Sequence, residues 1–182
     1  MTLQTTIPAD ADFLARLGDP QRMRALAAYD LFDPQLHADL DELQRATAER
    51  LGAPVGLLSF VLDTTMLIGG QYGIPDDNWA VLAGGLPVEW SFCGKAVLRH
   101  APYVVPDALE DPAESSNPLV AMGFVRSYAG IPLVDSNGEV LGAQCVLNFE
   151  PHEMSADELG ILAEAADEAM LILNRYRVQQ SA

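Results

Sequence analysis

Between Arg126 and Phe149 two apolar runs rich in β-formers flank one Asn137-Gly138 pair. An Asn-Gly pair accepts positive φ at both central positions of a type I′ turn, whose twist matches that of paired strands. The stretch is therefore expected to form a β-hairpin. Both arms are apolar or small on both faces, with little polar alternation. Such strands belong in the interior of a sheet covered on each side. Gly130, Gly142 and Ala143 remove side-chain volume from those faces. Small residues in a central strand mark a close approach by a ligand, a helix or another backbone.

The 182 residues suit one domain. Hydrophobic residues make up 49% and charged ones 20%, which is enough for a core and argues against disorder. Ten Lys and Arg stand against 26 Asp and Glu, a formal charge of −16. That field repels phosphate backbones and anionic lipid, so neither nucleic acid nor a membrane surface is expected as a partner. The first ten residues carry no basic region and no apolar core, and no apolar run reaches membrane-span length. Cys93 and Cys145 do not make a disulfide framework, so a reduced cytoplasmic setting is expected.

Taken in order, a short helix is expected over Asp10 to Leu17, stopping at Gly18. A second runs from Asp19-Pro20 to about Phe32, and a third from Pro34 to Leu51, closed by Gly52. Strands follow at Val55–Leu62 and Thr65–Tyr72. Pro75 to Asn78 opens a short helix with Trp79 and Leu82, closed by Gly84-Gly85. Ser91 caps a helix from Phe92 to about His100; Tyr103–Val105 is a strand; Asp107 to Asn117 is an acidic loop; Pro118, capped by Asn117, starts one or two turns. Ser155-Ala-Asp-Glu158 is a capping box for the last helix. That helix has one apolar stripe for the sheet and a second at Ile161, Ala165, Met170 and Ile172. We read the second as a dimer seam; the alternative is burial by the first helices of the same chain.

No phosphate loop, dinucleotide fingerprint or nucleophile elbow occurs. His37, His100 and His152 do not share a metal-ligand spacing, so no metal site is expected. Cys93 is the one residue with a mechanism. It lies in the first turn of the Ser91-capped helix with Lys95 nearby, where the positive helix end favours a thiolate. The alternative is a small apolar filler between Phe92 and the sheet, and Cys145 reads as core.

Taken together, several pieces in order resemble a GAF domain over about Gln21 to Arg177. They are Val55-Gly-Leu-Leu-Ser-Phe-Val-Leu-Asp63, Trp90-Ser-Phe-Cys-Gly94, Tyr103-Val-Val-Pro-Asp-Ala108, Asn117-Pro-Leu-Val120, the hairpin, and the helix from Ser155. The resemblance implies an α+β, PAS/GAF-like fold. An antiparallel sheet of about six strands would carry the terminal helices on one face and loops or short helices over the other. It divides the chain into an arm over 1–19, a domain over 20–178 and a tail over 179–182. The motif of cyclic-nucleotide-binding relatives is missing, and Cys93 is followed by Gly94 rather than by the His of a phytochrome attachment site. Cys93-Gly94 is similar to a Cys-Gly position of the free methionine sulfoxide reductases, but the 107–117 loop lacks their further cysteine.

The resemblance also implies a pocket bounded by Trp90, Phe92, Cys93, Asp107, Asn117, Phe124, Tyr128 and Gln144. The expected function is a cytoplasmic sensory or regulatory module, not an enzyme. It would bind a small molecule or partner of unspecified identity and signal through its terminal helices, as a homodimer, to a separate signalling protein. The alternatives are a thiol-dependent redox enzyme or sensor using Cys93, and a ligand-free dimerisation scaffold.

Overall fold

The hairpin forms, but around a different turn. In the computed structural model, which describes residues 11–178, β5 (Ser127–Val134) and β6 (Val140–Asn148) pair antiparallel. Of the two loop residues only Gly138 takes positive φ, at 85°. The Asp135 backbone N–H donates to the Glu139 carbonyl at 2.9 Å, and that of Gly138 to the Asp135 carbonyl at 3.0 Å. This is a three-residue loop with the left-handed residue at its end, not a type I′ turn. The cause is Asp135, a buried carboxylate that accepts from the backbone N–H groups of Asn137 at 2.8 Å and Glu139 at 2.9 Å. It supplies the loop with acceptors that the dipeptide rule does not count.

Four more strands complete one antiparallel sheet: β1 (Val55–Val61), β2 (Thr65–Tyr72), β3 (Gly85–Pro87) and β4 (Tyr103–Val105). The order is β3-β2-β1-β6-β5-β4, so both hairpin strands are interior, as their two apolar faces require. β3 was not anticipated. The expected helix closure at Gly84-Gly85 is half right: Gly84 turns the chain at φ 72°, and Gly85 starts pairing with Leu67.

One face carries helices α2 (Pro20–Leu26), α3 (Pro34–Leu51) and α7 (Ala156–Leu173). Asp19 and Asp33 cap the first two and Ser155 closes a complete capping box with Glu158 on the third, each cap adding about 1 kcal/mol. α3 lies directly on β1 and β2. A Cβ at Gly70 would sit 2.6 Å from Leu40 Cβ and one at Gly56 2.7 Å from the Gln44 carbonyl oxygen. α2 ends at Leu26, short of Phe32. Tyr29 instead bridges to Arg177, so the chain turns to meet the end of α7.

The second stripe of α7 is corrected in the same place. Ala165 and Ile172 are buried within the chain, in a cluster with Leu26, Leu36 and Leu40, while Ile161 and Met170 are half-buried. Packing within the chain thus buries two of the four residues that were read as a seam. Residues 1–10 and 179–182 lie outside the described residues. The rest of the expected arm holds α1 (Ala11–Leu17), which crosses to the other face: Leu17 is buried there, and Arg16 Nη2 donates to the Leu98 carbonyl at 3.2 Å.

Arg22 fastens this crossing. Its guanidinium is buried and donates to the carbonyls of Leu17 (from Nε at 3.0 Å), Val61 (2.5 Å), Leu62 (3.3 Å) and Val140 (3.3 Å). Burial lowers its pKa to about 10. It therefore stays charged near neutral pH and ties α1 and α2 to the ends of β1 and β6.

Candidate functional site

The face opposite α3 and α7 holds α4 (Trp79–Leu82), α5 (Phe92–Arg99) and α6 (Pro118–Ala121), and under them lies a cavity of about 360 Å³. Its floor is the sheet: Val55 and Leu57 of β1, Met66 and Ile68 of β2, Tyr128 of β5 and Leu147 of β6. Strand alternation aims these side chains to one face. Phe92 and Cys93 of α5 and Leu119 of α6 form one wall; Ile74, Pro75 and Trp79 form the other. Trp79, Phe124 and Phe149 stand partly exposed around the lining, an apolar rim that water contacts.

The lining is apolar, and no charged side chain contributes to it among the described residues. Its polar side chains already have partners. Asn78 accepts from the Ala80 N–H at 2.9 Å and Ser91 from the Gly94 N–H at 3.3 Å, each capping a helix. The Tyr128 hydroxyl donates to Cys93 Sγ at 3.4 Å. Such a space suits an uncharged molecule held by shape and burial, oriented by one or two polar contacts.

Four of the eight expected site residues line the cavity: Phe92, Cys93, Phe124 and Tyr128. Trp90 stands behind them with its ring edge-on to Trp79, centroids 5.9 Å apart. Asp107 faces away, in a two-pronged ion pair with Arg126 at 2.6 and 2.8 Å. Asn117 caps α6 and donates to the Trp90 carbonyl and to Glu114 Oε2, both at 3.1 Å. Gln144 projects from the other face of β6 and pairs with Gln44 of α3. Asp107 and Asn117 thus tie down the segments beside the cavity, and Gln144 ties α3 to the far face of the sheet.

The acidic loop is anchored by a buried carboxylate. Glu114 is fully buried and accepts from Lys95 Nζ and the Tyr103 hydroxyl through Oε1. Burial, then the hydrogen bond to Glu114, pushes the Tyr103 phenol well above its ordinary value. Lys95, expected to assist Cys93, is committed to Glu114 instead.

The small residues of the hairpin do not leave ligand space. Tyr128 folds its own phenol over Gly130, where a Cβ would lie 2.0 Å from the hydroxyl oxygen, and the Ser59 carbonyl sits 1.8 Å from a Cβ at Gly142. The floor of the cavity is made by large side chains instead, four from β1 and β2 with Tyr128 and Leu147 beside them.

Cys145 is the residue that sequence reading undervalued. Its sulfur lies 3.7 Å from that of Cys93. The Cys145 thiol, with the hydroxyls of Ser59, Tyr128 and Ser91, lowers the Cys93 pKa against the opposing effect of burial. Burial, then the neighbouring Cys93, raises that of Cys145. The cue available in the sequence was a cysteine in the strand whose apolar faces must meet a covering helix.

Comparison with known proteins places this geometry. The GAF domain family model matches residues 35–173. The cyclic di-GMP phosphodiesterase PA2567 of Pseudomonas aeruginosa is 42% identical over 86 residues, 47% of this chain but 13% of that protein. The chain thus corresponds to a small part of that relative. Among solved structures, the GAF domain of a phosphoenolpyruvate-protein phosphotransferase from Coxiella burnetii superposes with a TM-score of 0.65 at 20% identity, over 92% of this chain and 96% of that one. A type II free methionine-R-sulfoxide reductase from Thermoplasma acidophilum gives 0.61 at 14% identity, over 80% and 96%. At these identities the likeness establishes the fold alone.

Proposed function

Because this chain belongs to the GAF domain family, whose fold is typical of sensor and signalling modules, we propose that it is a sensory module for an uncharged, largely apolar small molecule. The observation that carries this reading is the cavity: about 360 Å³, apolar, rimmed by aromatic rings and, among the described residues, free of charged side chains. Burying a flat apolar ligand there contributes about 25 cal/mol for each Å² removed from water. The phosphodiesterase relative suggests a setting, control of a signalling enzyme, rather than a ligand. A dianionic cyclic dinucleotide would meet no counter-charge in this lining.

The output runs to the helix face. β6 presents Leu147 to the cavity and Gln144 to α3, so a displacement of the strand is felt on both sides. α7 carries Leu171, 70% exposed, at the end where it meets Tyr29 and the 174–176 turn. Pairing of two copies through these terminal helices, and transmission to a signalling partner, complete the proposal. Its test is native mass spectrometry of the protein isolated from a cell extract. A retained neutral organic molecule, one per chain, supports it; an empty chain that takes up no apolar compound speaks against it.

A second reading, reduction of free methionine sulfoxide, is favoured by Cys93 in the cavity wall and by the fold likeness. Among the described residues the lining offers no charged side chain to a zwitterionic amino acid, so we place it second. Turnover of methionine sulfoxide that disappears in Cys93→Ser would reverse that order.

A further inference from the structure

Two thiols face each other at the back of the cavity. Cys93 lines it, while Cys145 is fully buried behind, its sulfur 3.7 Å away. A disulfide has its sulfurs about 2.0 Å apart, so a small shift of α5 toward β6 brings the pair to bonding distance. Cys93 occupies the second position of the eight-residue helix α5, close to its unpaired backbone N–H groups. The Tyr128 hydroxyl donates to its sulfur at 3.4 Å. The Ser59 hydroxyl, fully buried and without a hydrogen-bond partner among the described residues, is near enough to favour the thiolate as well. A buried hydroxyl left unpaired costs free energy, and an oxygen added to Cys93 would give it a partner.

We propose that Cys93 and Cys145 form a redox-modification site whose substrate is a hydroperoxide entering through the apolar cavity. This goes beyond the ligand reading and uses the cavity only as the way in. The Cys93 thiolate attacks the distal peroxide oxygen. An S–O bond forms as the O–O bond breaks, and the alkoxide leaves with the proton that Cys93 released on ionising. The Cys145 sulfur then attacks the sulfenic sulfur. The S–S bond forms, the S–O bond breaks, and the hydroxide leaves with the Cys145 proton as water. Two thiols lose two electrons, and one hydroperoxide becomes one alcohol (water, when the peroxide is hydrogen peroxide) and one water. The unequal thiols suit the order: Cys93 is the more readily ionised and the one in contact with the cavity, and Cys145 resolves.

The test treats the reduced full chain with one equivalent of hydrogen peroxide or cumene hydroperoxide, followed by intact mass, thiol counting and peptide mapping. The wild type is expected to lose two hydrogens in mass and to yield a Cys93–Cys145 linked peptide within one chain. Cys145→Ser is expected to stop at a sulfenic acid that dimedone traps. In Cys93→Ser the loss of the Cys145 thiol is expected to slow at least about tenfold. A faster reaction with cumene hydroperoxide identifies apolar hydroperoxides as the substrate; a faster one with hydrogen peroxide identifies the small oxidant. A wild type that keeps both thiols, or that gives the same dimedone-trapped sulfenic acid as Cys145→Ser with no linked peptide, overturns the proposal. The ligand reading fails separately, by an empty cavity in the reduced protein.

Discussion

The side-chain amides of Gln44 and Gln144 exchange two hydrogen bonds, 2.8 Å from Gln44 Nε2 to Gln144 Oε1 and 2.7 Å in return, with both residues fully buried. They bolt α3 to β6 on the face away from the cavity. Gln144→Leu leaves the Gln44 amide without partners and is expected to cost about 1–3 kcal/mol. The double variant Gln44→Leu/Gln144→Leu recovers much of that, because apolar surface replaces both amides. Denaturant titrations of the three variants measure it, and single and double variants of equal stability would show that the pair is not coupled.

Arg22 makes a second prediction. Four main-chain carbonyls depend on its buried guanidinium. Arg22→Met is expected to destabilise by about 2–4 kcal/mol, and Arg22→Lys to recover little, since an ammonium cannot reach carbonyls spread around a planar fork. Amide exchange in α1 is the discriminating readout. It should rise in both variants, and protection of α1 at the wild-type level would mean that the helix is held by its own packing and the Arg16 contact, without Arg22.

The Asp107–Arg126 pair sets a pH dependence. The hydrogen bond from Arg126, chiefly, holds the Asp107 carboxyl below its ordinary value of 3.8. A carboxyl depressed in the folded state contributes stability above its unfolded pKa, and that contribution is lost as pH falls through the folded value. Asp107→Asn is therefore expected to be less stable than wild type at neutral pH, with the gap closing below pH 3.8. Urea melts of both proteins across the acid range follow it; a gap that stays constant with pH would assign the effect to packing.

How much of this was legible varies with range. Asp19-Pro20, Asp33-Pro34 and Ser155 with Glu158 announce their helices because capping is local chemistry, and all three caps are present. β3 escaped because three residues, Gly85-Leu86-Pro87, show no period and pair only because β2 offers an edge. The facing of Gln144 was unreadable for another reason. β6 is small or apolar on both faces, so nothing in it marks which side points to the cavity, and an irregularity at Leu133/Val134 shifts the alternation near its start. Val55, Leu57, Met66 and Ile68 join the site only through the pairing of β1 with β2 and β6, a long-range register. The Cys93–Cys145 contact likewise joins residues 52 positions apart.

The cavity itself gives the most direct test. Ile68 is half-buried in the floor, and Ile68→Phe adds volume into open space without removing a hydrogen bond. Trp79 and Trp90 are the two tryptophans of the chain and stand edge to face beside the cavity, so their fluorescence reports its occupant. The measurement is a titration of the reduced protein with Nile red, a neutral apolar dye, followed by tryptophan quenching. The account predicts saturable binding at one site in the wild type and in Gln144→Leu, and at least about a tenfold weaker affinity in Ile68→Phe, a loss of about 1.4 kcal/mol. Binding of equal strength in Ile68→Phe, or no saturable binding in the wild type, would contradict it.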